Sequence, residues 1–88
     1  MIRHLQIIIS GKVEQIGFRL YALWGASEYQ IKGKVTEHPG QIVIEAEGDE
    51  PALQGFIEWC RKGPQGSKVQ MLSTAEKPLY GYTDFRIL

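Results

Sequence analysis

The spacing of apolar residues along this chain switches between two periods, and the order of those periods restricts the fold more than any other feature. Leu5, Ile7, Ile9 and Val13 alternate with polar His4, Gln6 and Ser10, the pattern of a strand with one buried face. Ile8 adds an apolar residue to the second face, as expected of a strand inside a sheet. Phe18, Ala22, Gly25 and Tyr29 then recur at helical spacing beside Tyr21, which predicts a helix over about Phe18–Glu28. Gly25 costs such a helix about 1 kcal/mol relative to alanine, a cost that a close approach of helix to sheet would justify. Period two returns with Ile31, Gly33 and Val35, then with Ile42, Ile44 and Ala46. The "EHPG" between them supplies the proline and glycine of a hairpin turn. That hairpin is expected to end at Gly48.

The helical period reappears in Leu53, Phe56, Ile57 and Cys60, with Asp49 or Glu50 as cap, Pro51 in the first turn and "RKGP" as a stop. Lys68–Ser73 alternates again, with Val69 and Met71 expected inward. Thr83–Leu88 closes the chain with Phe85 and Ile87 expected inward. The order is β-α-β-β-α-β plus a C-terminal strand. Each strand has one apolar face, so two helices should cover one side of a mainly antiparallel sheet. The right-handed crossover rule makes this a ferredoxin-like α+β sandwich, with residues 1–88 as a single domain.

Composition removes several functions. Ten basic and ten acidic residues cancel, which argues against a surface built to neutralise the phosphates of a nucleic acid. No R-G-F-x-F-like segment supplies stacking aromatics for an RNA-binding sheet. One cysteine, Cys60, allows no internal disulfide and no cysteine-rich zinc site; a reducing cytoplasm suits it, and packing is its expected role. No apolar run reaches membrane-spanning length. A small anion needs only one or two cations, so small phosphates remain open.

The stretch "SGKVEQIGFR", Ser10–Arg19, leaves the first strand, passes through glycine near both ends and puts Arg19 where the first helix begins. Helix starts carry partial positive charge, so a cation there is misplaced unless an anion joins it. "GKVEQIGFR" resembles the G-x-V-Q-G-V-G-F-R motif of the acylphosphatase family, through Gly11, Val13, Gly17, Phe18 and Arg19, with Ile16 conservative. The resemblance continues through Ala26, Ile31, Gly33 and Val35, "IEAEG", "WCRKGP" and the closing "FRIL", and so covers essentially the whole chain. It implies a small enzyme that hydrolyses the carboxyl–phosphate bond of acyl phosphates without metal or organic cofactor. The resemblance also implies that Glu14, Gln15, Ile16, Gly17, Phe18 and Arg19 cradle the phosphate, with Arg19 clamping its oxygens. Such a protein is expected to act as a monomer on a small acyl phosphate or phosphate anion.

The family's second functional residue is an asparagine in a G-W-V-R-N segment, which holds the attacking water. Aligned on Gly33–Thr36, that position falls on Glu37, with Lys34 for the tryptophan and a turn one residue shorter. Glu14 stands for a glutamine in the cradle and Gln15 for a glycine. A non-glycine residue in left-handed geometry costs about 1–2 kcal/mol. Two carboxylates thus replace neutral amides beside the phosphate site, which weakens anion binding, and either could pair with Arg19. Glu37 is the candidate for water positioning, with a solvated turn carboxylate as the plainer role. A catalytically degenerate anion-binding or structural module of the same fold is the alternative to an enzyme.

Elsewhere, His38 is expected to be solvated at the turn tip, and no partner is identified for His4 on the polar sheet face. Lys32, Lys34, Lys68 and Arg86 on that open face are expected to be offset by Glu45 and Glu47 in a solvated, ion-paired surface. Tyr80 and Tyr82 are expected to pack a loop.

Overall fold

A computed structural model describes all 88 residues. Its elements are β1 (Ile2–Lys12), α1 (Phe18–Tyr29), β2 (Lys32–His38), β3 (Gln41–Asp49), α2 (Glu50–Lys62), β4 (Lys68–Lys77) and β5 (Phe85–Ile87). The five strands form one sheet in the order β4-β1-β3-β2-β5, antiparallel except where β5 runs parallel to β2. This is the α+β, ferredoxin-like sandwich that the alternation of periods implies. No helix is long and apolar enough to cross a membrane.

The core lies between one sheet face and the two helices. Leu5, Ile7, Ile9, Val35, Ile42, Ile44 and Ala46 supply the sheet side; Phe18, Ala22, Ala26, Leu53, Phe56, Ile57 and Cys60 supply the helix side. Burial pushes the Cys60 thiol well above its ordinary range, as befits a packing residue rather than a nucleophile. Asp49 is the N-cap residue of α2 but makes no capping bond through its side chain.

Several details depart from the sequence pattern. β4 continues to Lys77 and β3 to Asp49, because both keep pairing with β1. Met71 points outward and is 65% exposed. A bulge causes this: Val69 pairs with Gly11 and Met71 with Ser10, leaving Gln70 as the extra residue. The extra residue inverts the alternation, so Leu72, opposite Ile9, takes the inward position. Ile87 is also part-exposed, since β5 is a short edge strand with a neighbour on one side only.

Gly25 accommodates the other helix, not the sheet. A Cβ built there would lie 2.3 Å from the Trp59 ring, which stacks on Tyr21 with centroids 4.8 Å apart. Trp59 Nε1 donates to Tyr21 O at 2.9 Å and Tyr21 Oη donates to Trp59 O at 2.8 Å, so the ring has little freedom to move. Gly25→Ala is therefore expected to destabilise the protein by about 1–2 kcal/mol, against the gain of about 1 kcal/mol that helix propensity alone predicts. Urea unfolding of the two proteins measures the sign.

The second sheet face is not a plain solvated surface. β4 and β5 lie at opposite edges, so residues 78–84 must cross the sheet to join them. They cross on the face away from the helices. His4 is buried beneath this crossing, with Nδ1 2.9 Å from Pro78 O and Nε2 2.7 Å from Glu45 Oε1. Glu47 is buried as well and accepts the backbone N–H groups of Tyr80, Gly81 and Tyr82. Glu45 and Glu47 thus hold His4 and the crossing chain instead of the lysines. Tyr80 and Tyr82 stack on each other, with Tyr82 edge-on to His4.

Candidate active site

The loop between β1 and α1 is pinned at both ends by apolar burial, since Val13 and Phe18 are each fully enclosed in the core. Between them, Gln15 (φ 60°) and Gly17 (φ 76°) take left-handed conformations that turn the chain sharply into the helix. Gln15 is not a glycine, so its left-handed conformation puts about 1–2 kcal/mol of strain into the loop. Gly17 is the N-cap of α1. It has no side chain to cap the helix, and the first turn contains no acidic residue. The start of α1 therefore keeps its partial positive charge without an internal side-chain anion to cap it.

Arg19 stands in that first turn with 43% of its side chain exposed. Its guanidinium is held from two sides: Nη1 donates to Leu88 O at 3.2 Å, and Nε lies 3.6 Å from Glu37 Oε1. Leu88 reaches Arg19 because β5 runs parallel to β2 and its chain continues toward the loop, with Leu88 N donating to Val35 O at 3.0 Å. Glu37, near the end of β2, accepts the backbone N–H of Gln15 through Oε2 at 3.1 Å. One carboxylate thus bridges a loop N–H and the arginine.

Glu14 does not pair with Arg19. Its carboxylate accepts Gly40 N at 2.9 Å, and Gly11 N donates to Gly40 O at 3.3 Å. These bonds and the Glu37–Gln15 bond fasten the loop to the β2–β3 hairpin. Glu14, Gln15, Ile16, Gly17, Phe18, Arg19 and Glu37 therefore converge at one end of the sheet. His38 is exposed, with Nε2 3.0 Å from Thr36 Oγ1, and takes no part. Leu88 O and Gly40 are the contributors that sequence reasoning missed. Both are main-chain groups, for which side-chain identity carries no signal.

The largest groove, about 630 Å³, lies at the opposite end of the sheet between Leu23, Tyr29, Ile31, Ala52 and Phe85. It contains none of the loop residues. The arrangement at Arg19 is a surface cradle, suited to a small anion gripped at one end.

Comparisons with known proteins place the whole chain. A family model described as acylphosphatase matches residues 5–87. The acylphosphatase of Thermotoga maritima is 38% identical over 84 residues, covering 94% of this chain and 93% of its own. That of Syntrophus aciditrophicus is 32% identical over 90 residues, covering 100% and 94%. The crystal structure of acylphosphatase from Bacillus subtilis superposes with a TM-score of 0.94 at 36% identity, covering 100% of this chain and 99% of that one.

Proposed function

The chain belongs to the acylphosphatase family, and from that membership we propose that it hydrolyses the carboxyl–phosphate bond of acyl phosphates, releasing a carboxylate and phosphate. The observation that carries the reading is the pairing of an uncapped helix start with Arg19, whose guanidinium faces Glu37 across the loop at 3.6 Å. In the proposed reaction the loop N–H groups and Arg19 hold the phosphoryl oxygens. Glu37 accepts a hydrogen bond from the attacking water and so orients it, and the water's proton passes to a phosphoryl oxygen as the new P–O bond forms. The bond from phosphorus to the acyl oxygen breaks, and the electron pair leaves on the carboxylate. Carboxylic acids ionise near pH 4, so that leaving group needs no proton. Position and charge then carry most of the catalysis. The reaction requires no metal, organic cofactor, nucleic acid or membrane, and we place it on a cytoplasmic monomer.

Glu37 also limits the reaction. Its carboxylate occupies a loop N–H and neutralises part of Arg19, so it competes with the phosphoryl group for the same donors. The same contact favours a second reading, in which the chain is an anion-binding or structural module with little turnover. Glu37→Asn separates them. Asparagine is one methylene shorter than glutamate, so it releases the Gln15 N–H for the phosphoryl group, brings an amide donor and removes a charge that repels the substrate. Part-exposed ion pairs are worth at most about 1 kcal/mol, so with the repulsion removed kcat/KM is expected to rise about tenfold. The assay is phosphate release from an aryl acyl phosphate. Slow wild-type turnover that Glu37→Asn accelerates supports the enzyme. An inert wild type with an active Glu37→Asn variant supports the degenerate reading, and two inert proteins leave a binder.

A further inference from the structure

The far face of the sheet contains an ionic cluster that the proposed reaction does not use. His4 on β1 has acceptors at both ring nitrogens: Pro78 O on Nδ1 at 2.9 Å and Glu45 Oε1 on Nε2 at 2.7 Å. A neutral imidazole has one N–H and leaves a lone pair against an acceptor. With Glu45 ionised, only the imidazolium satisfies both. Glu47 Oε2 lies a further 3.6 Å from Nδ1. Gln6 Nε2 occupies the other Glu45 oxygen at 2.9 Å, so Glu45 cannot turn away without losing a second bond.

Glu47 binds the crossing chain. It accepts three successive backbone N–H groups, from Tyr80, Gly81 and Tyr82. Burial pushes its carboxyl up, but the three N–H bonds and His4 outweigh burial and hold it below the usual carboxylate range. The remaining charged and titratable groups around the cluster are Lys77, opposite His4 on β4, Lys32 and Lys34, opposite Glu47 and Glu45 on β2, and the Tyr80 and Tyr82 phenols of the crossing. The Tyr82 phenol is raised by burial first and then by Glu45, Tyr80 and Glu47.

We propose that His4, Glu45 and Glu47 form a proton-dependent latch on Pro78–Asp84, and that the latch, by seating β5, sets the hold of Leu88 on Arg19. The path is short. Asp84 O accepts Gly33 N at 2.8 Å, β5 pairs with β2 from Phe85 to Ile87, and Leu88 O reaches Arg19 Nη1 at 3.2 Å. When His4 loses its proton, Nε2 opposes a carboxylate at hydrogen-bond distance and the crossing loosens. When Glu47 gains a proton, the three N–H groups lose their anionic acceptor. Because that carboxyl is depressed, this acid limb falls below the usual carboxylate range. The crossing is therefore tightest between the two limbs. The link to Arg19 rests on the phosphate-site reading above; the latch does not.

Amide hydrogen exchange of Tyr80, Gly81, Tyr82, Gly33 and Leu88, corrected for intrinsic rates, tests the latch on the whole chain from pH 2 to pH 10. Nitrogen NMR of the His4 ring is followed in the same samples. Two protonated ring nitrogens are expected wherever the crossing is protected, with protection falling at least tenfold as the ring loses one of those protons. In His4→Gln and in Glu45→Gln, either of which suffices if the other fails to fold, the alkaline limb should be absent. Protection that ignores the His4 titration, or a ring with one protonated nitrogen throughout, overturns the latch. Titration with inorganic phosphate reads the site. Affinity that weakens in step with the crossing supports the link to Arg19, and a crossing that opens with affinity unchanged overturns it. Absence of phosphate binding at every pH would remove the functional reading and the link with it, and the five amides would still decide the latch.

Discussion

Replacing Arg19 by alanine is expected to lower kcat/KM for an aryl acyl phosphate by roughly 10³-fold while leaving the fold intact. Single donors to a developing oxyanion are worth about 10²–10³-fold, and arginines on a transferring phosphoryl group about 10³–10⁵-fold. Arg19 combines both roles in the proposed site. The structural cost is small. Its side chain is substantially exposed and its ion pair with Glu37 is long, at 3.6 Å. Removing a cation from the first turn of α1 even returns about 0.3–1 kcal/mol of unfavourable dipole interaction. The melting temperature should therefore stay within about 3 °C of wild type. Arg19→Lys keeps the charge but loses the two-pronged geometry and should recover only part of the rate. An alanine variant that turns over like wild type would exclude the loop as the catalytic site.

Gly33→Ala should produce the largest loss of stability of any single methyl group added to this protein. Gly33 has φ 149°, and a Cβ placed there would lie 1.7 Å from Glu45 O, within the β2–β3 ladder itself. Neither strand can yield easily. Gly33 pairs with Ala46 on one side and with Phe85 on the other, and its N–H is bonded to Asp84 O. Overpacking costs about 1–3 kcal/mol and the backbone conformation about 1–3 kcal/mol more, so a loss on the order of 3 kcal/mol or greater is expected. A small domain holds roughly 5–10 kcal/mol in total. Equilibrium denaturation should show a clearly lower midpoint, and amide exchange should locate the damage at β5 and the crossing before the rest of the sheet.

Local patterns carried most of the architecture because they depend on side chains. The period-two runs located the strands, and Leu53, Phe56, Ile57 and Cys60 proved to be the buried stripe of α2. What failed depended on pairing across the sheet. Met71 lies outside because of Gln70, and a bulge is decided by two strands together, so alternation within β4 alone could not reveal it. His4 and Glu47 read as polar residues on an open face, since the chain that buries them lies more than thirty residues away from Glu47 and more than seventy from His4. The loop proposed as the cradle was legible through Gly17, Phe18 and Arg19. The partners of that cradle were less so: Glu37 could be aligned to its position, but the Gln15 N–H it accepts, the Gly40 N–H taken by Glu14 and the Leu88 oxygen on Arg19 are all main-chain groups.

The bulge has a further consequence for life at high concentration. β4 is a ten-residue edge, and an edge of that length offers unpaired backbone donors and acceptors as a template for another molecule. A bulge adds local twist to such an edge and interrupts its regular order of donors and acceptors. Here it lies one residue before exposed Met71, with Lys68 and Lys77 at the two ends and Glu76 held by Arg3 at 2.9 Å. A neighbouring strand would lose register at Gln70 and meet charge at either end. The kink that spoils a tidy alternation of side chains also guards the sheet against growing from protein to protein.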